Sequence, residues 1–310
     1  VSRSGFRKAA GTRIATPFCG ELQFSFHFQV KTGSANDQNA HNGREFTGPP
    51  CLRVENLMPL QTQSPPFHRV ADHSIKAVAF DAVGTVIYAM PSVSAAYCGI
   101  LEQLSGRTVD PGEVRSVLSR RLAARSGEGN LQTTEVSERQ FWFDLVAELV
   151  PDPDRLTTCF DALFRHFAEP SNWRCYEDVA EAFEALRSAG LQVVLASNFD
   201  QRLHAVCDGL AELSPVSARI ISSEVGWRKP APQFFEIVCQ RTQCSPAEIL
   251  FVGDDRHNDI LGAQTAGMPT AWIDRRNEPP GAVEASVPPA ANDPVWRINS
   301  LRELMTLVAS

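Results

Sequence analysis

The chain has 310 residues, 43% hydrophobic and 21% charged, with a formal net charge of −7. That is enough for one large domain or two smaller ones with a true core. The acidic balance argues against a nucleic-acid partner, which would want a basic face, and no apolar run of about 18 residues is present to cross a membrane.

The eight cysteines are scattered and form no Cys-x-x-Cys. Cys239 and Cys244 lie close in sequence but lack the partners of a zinc pattern. Reduced thiols in a cytoplasmic protein are the expectation.

Residues 1–73 are unlike the rest. They are rich in Gly, Ser, Asn, Gln and Pro and hold eight Lys/Arg against five Asp/Glu, so the acidic excess lies downstream. Only Leu22–Val30 alternates apolar with polar, and a lone strand is not stable by itself. A disordered tail or an over-extended start is expected, since the first Met is Met58. Arg3, Arg7, Lys8 and Arg13 precede the first acid, Glu21, and leave a targeting peptide and an organellar location as the alternative.

From Ile75 the pattern is regular. Ile75–Phe80 is apolar apart from Lys76 and reads as a buried strand. Residues 92–168 are helical in character. Glu113–Arg125 and Ser137–Leu149 carry apolar residues at helical spacing, Ser137 and Gln140 suggest a capping box, and Pro151-Asp152-Pro153 breaks the run before Leu156–Phe167. Strands are then predicted at Leu191–Ala196, Ala218–Ser222, Ile249–Val252 and Pro269–Ile273. They alternate with helices at Glu177–Ser188, Arg202–Leu210, Pro232–Thr242 and Asp259–Ala266, and a last helix covers Ser300–Val308. This alternation implies an α/β fold with a doubly wound parallel sheet.

Polar groups stand where such a sheet binds ligands, at the carboxyl ends of its strands. Asp81 follows the first strand, with Gly84 and the hydroxyl of Thr85 in the turn beyond. Ser197 and Asn198 follow the second, Lys229 sits in a loop before a helix, and Asp254, Asp255 and Asp259 follow Ile249–Val252. Together they supply a carboxylate nucleophile, a hydroxyl and a cation for an anionic group, and carboxylates for a hard metal. Displacement at a small anionic substrate through a covalent aspartyl intermediate needs that inventory.

Four motifs in order carry a family resemblance: Phe80-Asp81-Ala82-Val83-Gly84-Thr85, Ala196-Ser197-Asn198, Arg228-Lys229-Pro230-Ala231-Pro232, and Val252-Gly253-Asp254-Asp255 through Asn258-Asp259. The chain from Ile75 onward resembles the haloacid dehalogenase (HAD)-like hydrolases, in the subfamily with a helical cap. Trp272-Ile273-Asp274-Arg275 and Ser300-Leu301-Arg302-Glu303-Leu304 resemble that subfamily's ending. The resemblance implies a Rossmann-like core over 74–90 and 170–310 and a cap over 91–169. It implies that Asp81, Ser197 and Lys229 are catalytic and that Thr85, Ser197, Asn198 and Lys229 meet the substrate. Mg²⁺ would be held by Asp81, the backbone oxygen of Val83 and Asp254, with Asp255 and Asp259 behind them.

Val83 departs from the pattern. The family's phosphatases carry there an Asp that protonates the leaving oxygen and activates water, help worth about 10²–10⁴ in rate. The family's dehalogenases lack that Asp, but they need no metal and are neutral where this chain has Asp254. Three functions are therefore carried forward. The first is a Mg²⁺-dependent phosphoester hydrolase of a small phosphorylated metabolite, weakened by Val83. The others are a 2-haloacid dehalogenase, and an impaired member that binds a ligand or partner. The sequence leaves oligomeric state open. His257 reads as a surface histidine, Phe141, Trp142 and Phe143 as core of the helical insert, and Trp227 as a packing residue beside Arg228-Lys229.

Overall fold

The computed structural model describes residues 74–126, 129–275 and 295–308. The expectations for residues 1–73, and for the Pro/Ala-rich stretch 276–294, lie outside the described residues.

The first elements are β1 (Ala77–Phe80) and β2 (Ile87–Ala89). Four helices follow without an intervening strand: α1 (Val93–Ser105), α2 (Pro111–Ser126), α3 (Glu135–Leu149) and α4 (Pro153–His166). Then come β3 (Trp173–Cys175), α5 (Val179–Ser188), β4 (Gln192–Ser197), α6 (Arg202–Asp208), β5 (Ala218–Ile221), α7 (Ser222–Val225) and α8 (Pro232–Thr242). The chain continues through β6 (Ile249–Gly253), a π-helical stretch Arg256–Leu261, α9 (Gly262–Thr265) and β7 (Thr270–Ile273). It closes with β8 (Trp296–Ile298), a 3₁₀ turn Leu301–Glu303 and α10 (Leu304–Val308).

The main sheet has the order β5-β4-β1-β6-β7-β8 and every pairing in it is parallel. β1 is central. The chain adds strands first on the β4 side and then on the β6 side, so the carboxyl end of β1 lies at a topological switch point. The two-residue period of a strand divides the β1 side chains between two cores. Val78 and Phe80 join Phe183 and Leu186 of α5, Leu203 and Val206 of α6 and Leu304 of α10. Ala77 and Ala79 join Phe234, Phe235 and Val238 of α8 and Ala263 of α9. Both faces are covered, and for that reason β1 and β6 read as unbroken apolar runs rather than alternating ones.

The four-helix stretch leaves the core through β2 and returns through β3, which pair antiparallel as a separate two-stranded ribbon. Short, three-residue strands carry too little periodicity to be read in advance, and β2, β3 and β8 were not expected from the sequence.

Two further details differ from expectation. The capping box at the start of α3 is Thr134 with Ser137, one turn earlier than Ser137 with Gln140: the Ser137 N–H donates to Thr134 Oγ1 (3.2 Å) and the Thr134 N–H to Ser137 Oγ (2.8 Å). The segment expected as one helix from Asp259 opens instead with the wider π turn. There the Ile260 N–H reaches back five residues to the Asp255 carbonyl (3.2 Å). That turn sets Asp259 directly against Gly253, where a Cβ would collide with the carboxylate.

Candidate active site

Three adjacent strands end at one edge, and their next residues converge. Asp81 follows β1, Ser197 ends β4, and Asp254 follows β6. Lys229 enters from the α7–α8 loop and is 1% exposed, so its ammonium must be satisfied by protein. It donates to Asp81 Oδ1 (2.7 Å), Asp259 Oδ1 (2.6 Å) and the Ala196 carbonyl (2.8 Å). Burial would discourage its charge, but Asp259 and Asp81 more than offset this and hold the ammonium above the ordinary lysine value.

Asp81 is buried and asymmetric. Ser197 Oγ (3.1 Å) and Lys229 Nζ both donate to Oδ1. Among the described residues nothing donates to Oδ2, which is left available for attack or for a cation. Asp254 has the same asymmetry. Thr85 Oγ1 donates to its Oδ1 (3.1 Å), and no described residue donates to its Oδ2. Gly84, at φ 93°, is required for this approach: it is in the left-handed region, and a Cβ would collide with the Asp254 carboxylate.

Asp259 lies with Asp81 and Asp254 in a group whose carboxylate oxygens fall within 4.8 Å of one another. Both of its oxygens are committed, one to Lys229 and the other to the Asp255 N–H (3.1 Å). It therefore anchors the lysine. Asp255 is likewise occupied as a cap, accepting from the His257 N–H (2.8 Å), the Asn258 N–H (2.9 Å) and Asn258 Nδ2 (2.8 Å).

Thr85 and Asn198, expected at the substrate, have their side-chain groups turned to protein. Thr85 orients Asp254. Asn198 clamps the Lys229 backbone, donating to its carbonyl (3.0 Å) and accepting from its N–H (2.8 Å). Val83 is partly buried against the apolar core and brings no proton-transfer group. His257 is exposed. Trp227 packs against the α8-side core, while Trp142 faces a cavity beside the site.

The sequence reading did not assign a role to Arg275. It is buried, donates to the Thr85 carbonyl (2.7 Å) and forms a two-pronged pair with Asp178 (2.8 and 3.0 Å). Asp178 also accepts from Ser300 Oγ (2.9 Å) and the Leu301 N–H (2.7 Å). This network ties the C-terminal segment to the turn after Asp81. Its sequence signals were a cation at a strand end and its place in the Trp272–Arg275 motif.

The residues present fit a hard divalent cation. The donors are all oxygen, two carboxylate oxygens are uncommitted, and the buried ammonium reaches only Asp81 and Asp259 of the four aspartates. Removal from water, reinforced by the charges of Asp81, Asp259 and Asp255, pushes the Asp254 carboxyl well above the usual carboxylate range. A bound cation would relieve that mismatch.

Comparison with known proteins agrees with this geometry. Residues 75–267 match the haloacid dehalogenase-like hydrolase family. The haloacid dehalogenase-like hydrolase domain-containing protein 3 of Mus musculus is 32% identical over 158 residues, 49% of this chain and 63% of the relative. A phosphoserine phosphatase of Thermus thermophilus is 35% identical over 156 residues, 49% of this chain and 57% of the relative. These matches span under two-thirds of each relative's length. A HAD-hydrolase from Bacillus subtilis, solved bound to magnesium, superposes with a TM-score of 0.60 at 16% identity, over 76% of this chain and 99% of that one, a likeness of fold. With the family's four motifs gathered at one sheet edge and its model matched across most of the described residues, the chain belongs to the haloacid dehalogenase-like hydrolases.

Proposed function

We propose that the protein is a Mg²⁺-dependent phosphoester hydrolase acting on a small phosphorylated metabolite, with α1–α4 serving as its cap. The observation that carries this reading is the pair of uncommitted carboxylate oxygens on Asp81 and Asp254 in a site with excess negative charge. A metal-free dehalogenase has no use for Asp254 there. Its charge would only repel the nucleophile. The relatives include phosphatases and a 2-haloacid dehalogenase, so the choice between them rests on the site.

Magnesium, when bound, supplies charge neutralisation at the phosphoryl oxygens; Asp254, the Val83 carbonyl and the Asp81 oxygen that does not attack would hold it. The rest falls to this chain's side chains. Lys229 and Ser197 fix Asp81 Oδ1, which leaves Oδ2 directed at the substrate. Attack by Oδ2 forms the oxygen–phosphorus bond as the ester oxygen departs with its electron pair, leaving an aspartyl phosphate. Water then attacks phosphorus and regenerates the Asp81 carboxylate with inorganic phosphate. Lys229 and Ser197 also offer positive charge and a hydroxyl to the phosphoryl group. Val83 gives the leaving oxygen no proton, so the reaction favours leaving groups that need none.

The test is hydrolysis of an activated aryl phosphate by the purified protein with Mg²⁺, and again after Val83→Asp. The expected result is slow, chelator-sensitive turnover that rises by about 10²–10⁴ in the variant. No turnover in either protein sinks the reading. Val83 itself favours a second reading, since a halide leaves without a proton. Halide release from 2-chloropropionate in the presence of chelator would establish the dehalogenase instead.

A further inference from the structure

Beside the site lies a cavity of about 160 Å³, bounded by Leu122, Arg125 and Trp142 of the helical insert and by Asn198, Asp255 and Arg228. Asn198 follows Ser197 and clamps the Lys229 backbone, and Asp255 follows Asp254, so the cavity borders the catalytic edge.

Arg228 and Lys229 are consecutive, but Arg228 lines this cavity while the Lys229 ammonium is turned to Asp81, Asp259 and the Ala196 carbonyl. Lys229 is saturated. Arg228 is not. Its side chain is 9% exposed, and a guanidinium carries five N–H donors. Among the described residues it makes one side-chain hydrogen bond, from Nη1 to the Arg125 carbonyl (3.3 Å). Its nearest carboxylate, Glu138, stands 4.0 Å off. Glu138 is already spent on Arg125 (2.5 and 2.9 Å) and Thr133 (2.5 Å). The other ion pair on the cavity wall, Arg202 with Asp200, is closed on itself through two 2.7 Å bonds. Burial, with Arg125 nearby, brings the Arg228 pKa down to about 10, the mark of a cation short of counter-charge.

We infer that Arg228 receives a carboxylate of the substrate in this cavity, and that the substrate is a small phosphomonoester bearing a carboxylate a few atoms from the phosphoryl group. The inference rests on the phosphatase reading and adds the substrate class to it. A planar carboxylate matches the guanidinium fork two bonds at a time. A second phosphoryl group suits the site less well. It would place two negative charges opposite one spare cation, with Glu138 and Asp255 close by.

Isothermal titration with Mg²⁺ present tests this on the whole protein. The probes are phosphonoacetate, methylphosphonate (no carboxylate) and methylenediphosphonate (a second phosphonate). Native protein should bind phosphonoacetate about tenfold or more tightly than methylphosphonate, as expected for a charge-assisted bidentate pair. Arg228→Gln should reduce that preference to about twofold or less, and Arg228→Lys should keep an intermediate value because it retains charge but not the fork. Equal binding of phosphonoacetate and methylphosphonate by native protein overturns the inference, as does a preference that survives in Arg228→Gln. Tighter binding of methylenediphosphonate assigns the cavity to a second phosphate and also overturns it. Should Arg228→Gln fail to fold, native protein and Arg228→Lys decide. Aryl phosphate turnover without any carboxylate preference defeats this inference alone. Failure of a folded protein both to turn over aryl phosphate and to bind any probe defeats the phosphatase reading with it.

Discussion

The peptide bond between Arg228 and Lys229 separates two buried charge clusters of opposite imbalance. On the Lys229 side, Asp81, Asp254, Asp255 and Asp259 lie together and the one ammonium is spent on Asp81 and Asp259. On the Arg228 side, Arg125 and Arg228 share Glu138. A third buried cluster, Asp178 with Arg275, is balanced one to one; the Asp178 carboxylate also accepts from Ser300 Oγ and the Leu301 N–H, and Arg275 Nη2 donates to the Thr85 carbonyl. The comparison separates structure from function on physical grounds. A balanced buried pair needs nothing further and holds chain segments in place. An unbalanced one retains a desolvation penalty that a ligand of the opposite sign removes. On the proposed reading the carboxylate-rich side accepts a cation and the arginine-rich side an anion.

The largest expected effect is at the nucleophile. Asp81→Asn should lower aryl phosphate turnover by about 10⁴-fold or more, since the reacting oxygen itself is lost. Steady-state kinetics checks it, and a variant that retains a tenth of native activity would remove Asp81 from the chemistry.

The balanced cluster should show up in stability. Asp178→Asn leaves Arg275 buried without its partner, and urea unfolding should record a loss of about 3–5 kcal/mol. The pH dependence has a definite sign. Burial works against the Asp178 charge, but Arg275 and the Leu301 and Ser300 donors outweigh it and hold the carboxyl below its ordinary 3.8. Its contribution is thus fully present above that value and is lost as pH falls through the lower folded value. The variant should lack this part of the acid limb.

In the arginine-rich cluster, Glu138→Gln should destabilise by about 1–3 kcal/mol, because a buried guanidinium loses a charged acceptor. It should also tighten phosphonoacetate binding at low salt by adding net positive charge beside Arg228. Weaker binding in a folded variant would mean that Glu138 shapes the cavity more than it neutralises it.

The smallest effect should appear in the carboxylate-rich cluster without metal. With the Asp254 pKa raised in the folded state, the folded protein binds more protons than the unfolded one once pH exceeds 3.8. Stability in chelator should therefore decline as pH rises above that value. Magnesium should remove the decline, and Asp254→Asn should reduce it, leaving the part owed to Asp259, whose burial raises its carboxyl to about 7. Thermal unfolding across pH checks both. A slope unchanged by magnesium would place the cation elsewhere.

Much of this was legible in the sequence because local signals carried it. Unbroken apolar runs marked β1, β4 and β6, helical spacing marked α2 and α3, and Pro232 at a helix start fell where the structure puts it. The polar residues at strand ends could be placed on one edge because parallel strands in a doubly wound sheet all point the same way. Three-residue strands and the π turn escaped, since their hydrogen bonds depend on partners remote in sequence or on a single added residue per turn.

What the sequence by itself determined was the α/β pattern and the four ordered motifs, with Asp81 as the candidate nucleophile and a valine two residues on. The tertiary structure alone decided how each carboxylate is employed: Asp259 is spent on Lys229 and Asp255 on its own turn, while Asp81 and Asp254 each keep a free oxygen. It alone separated Arg228 from Lys229, neighbours that a sequence reads as one basic pair. The reason is that charge type is local and written in the residue, whereas charge balance is set by which groups from distant segments come within hydrogen-bond reach in a space without water.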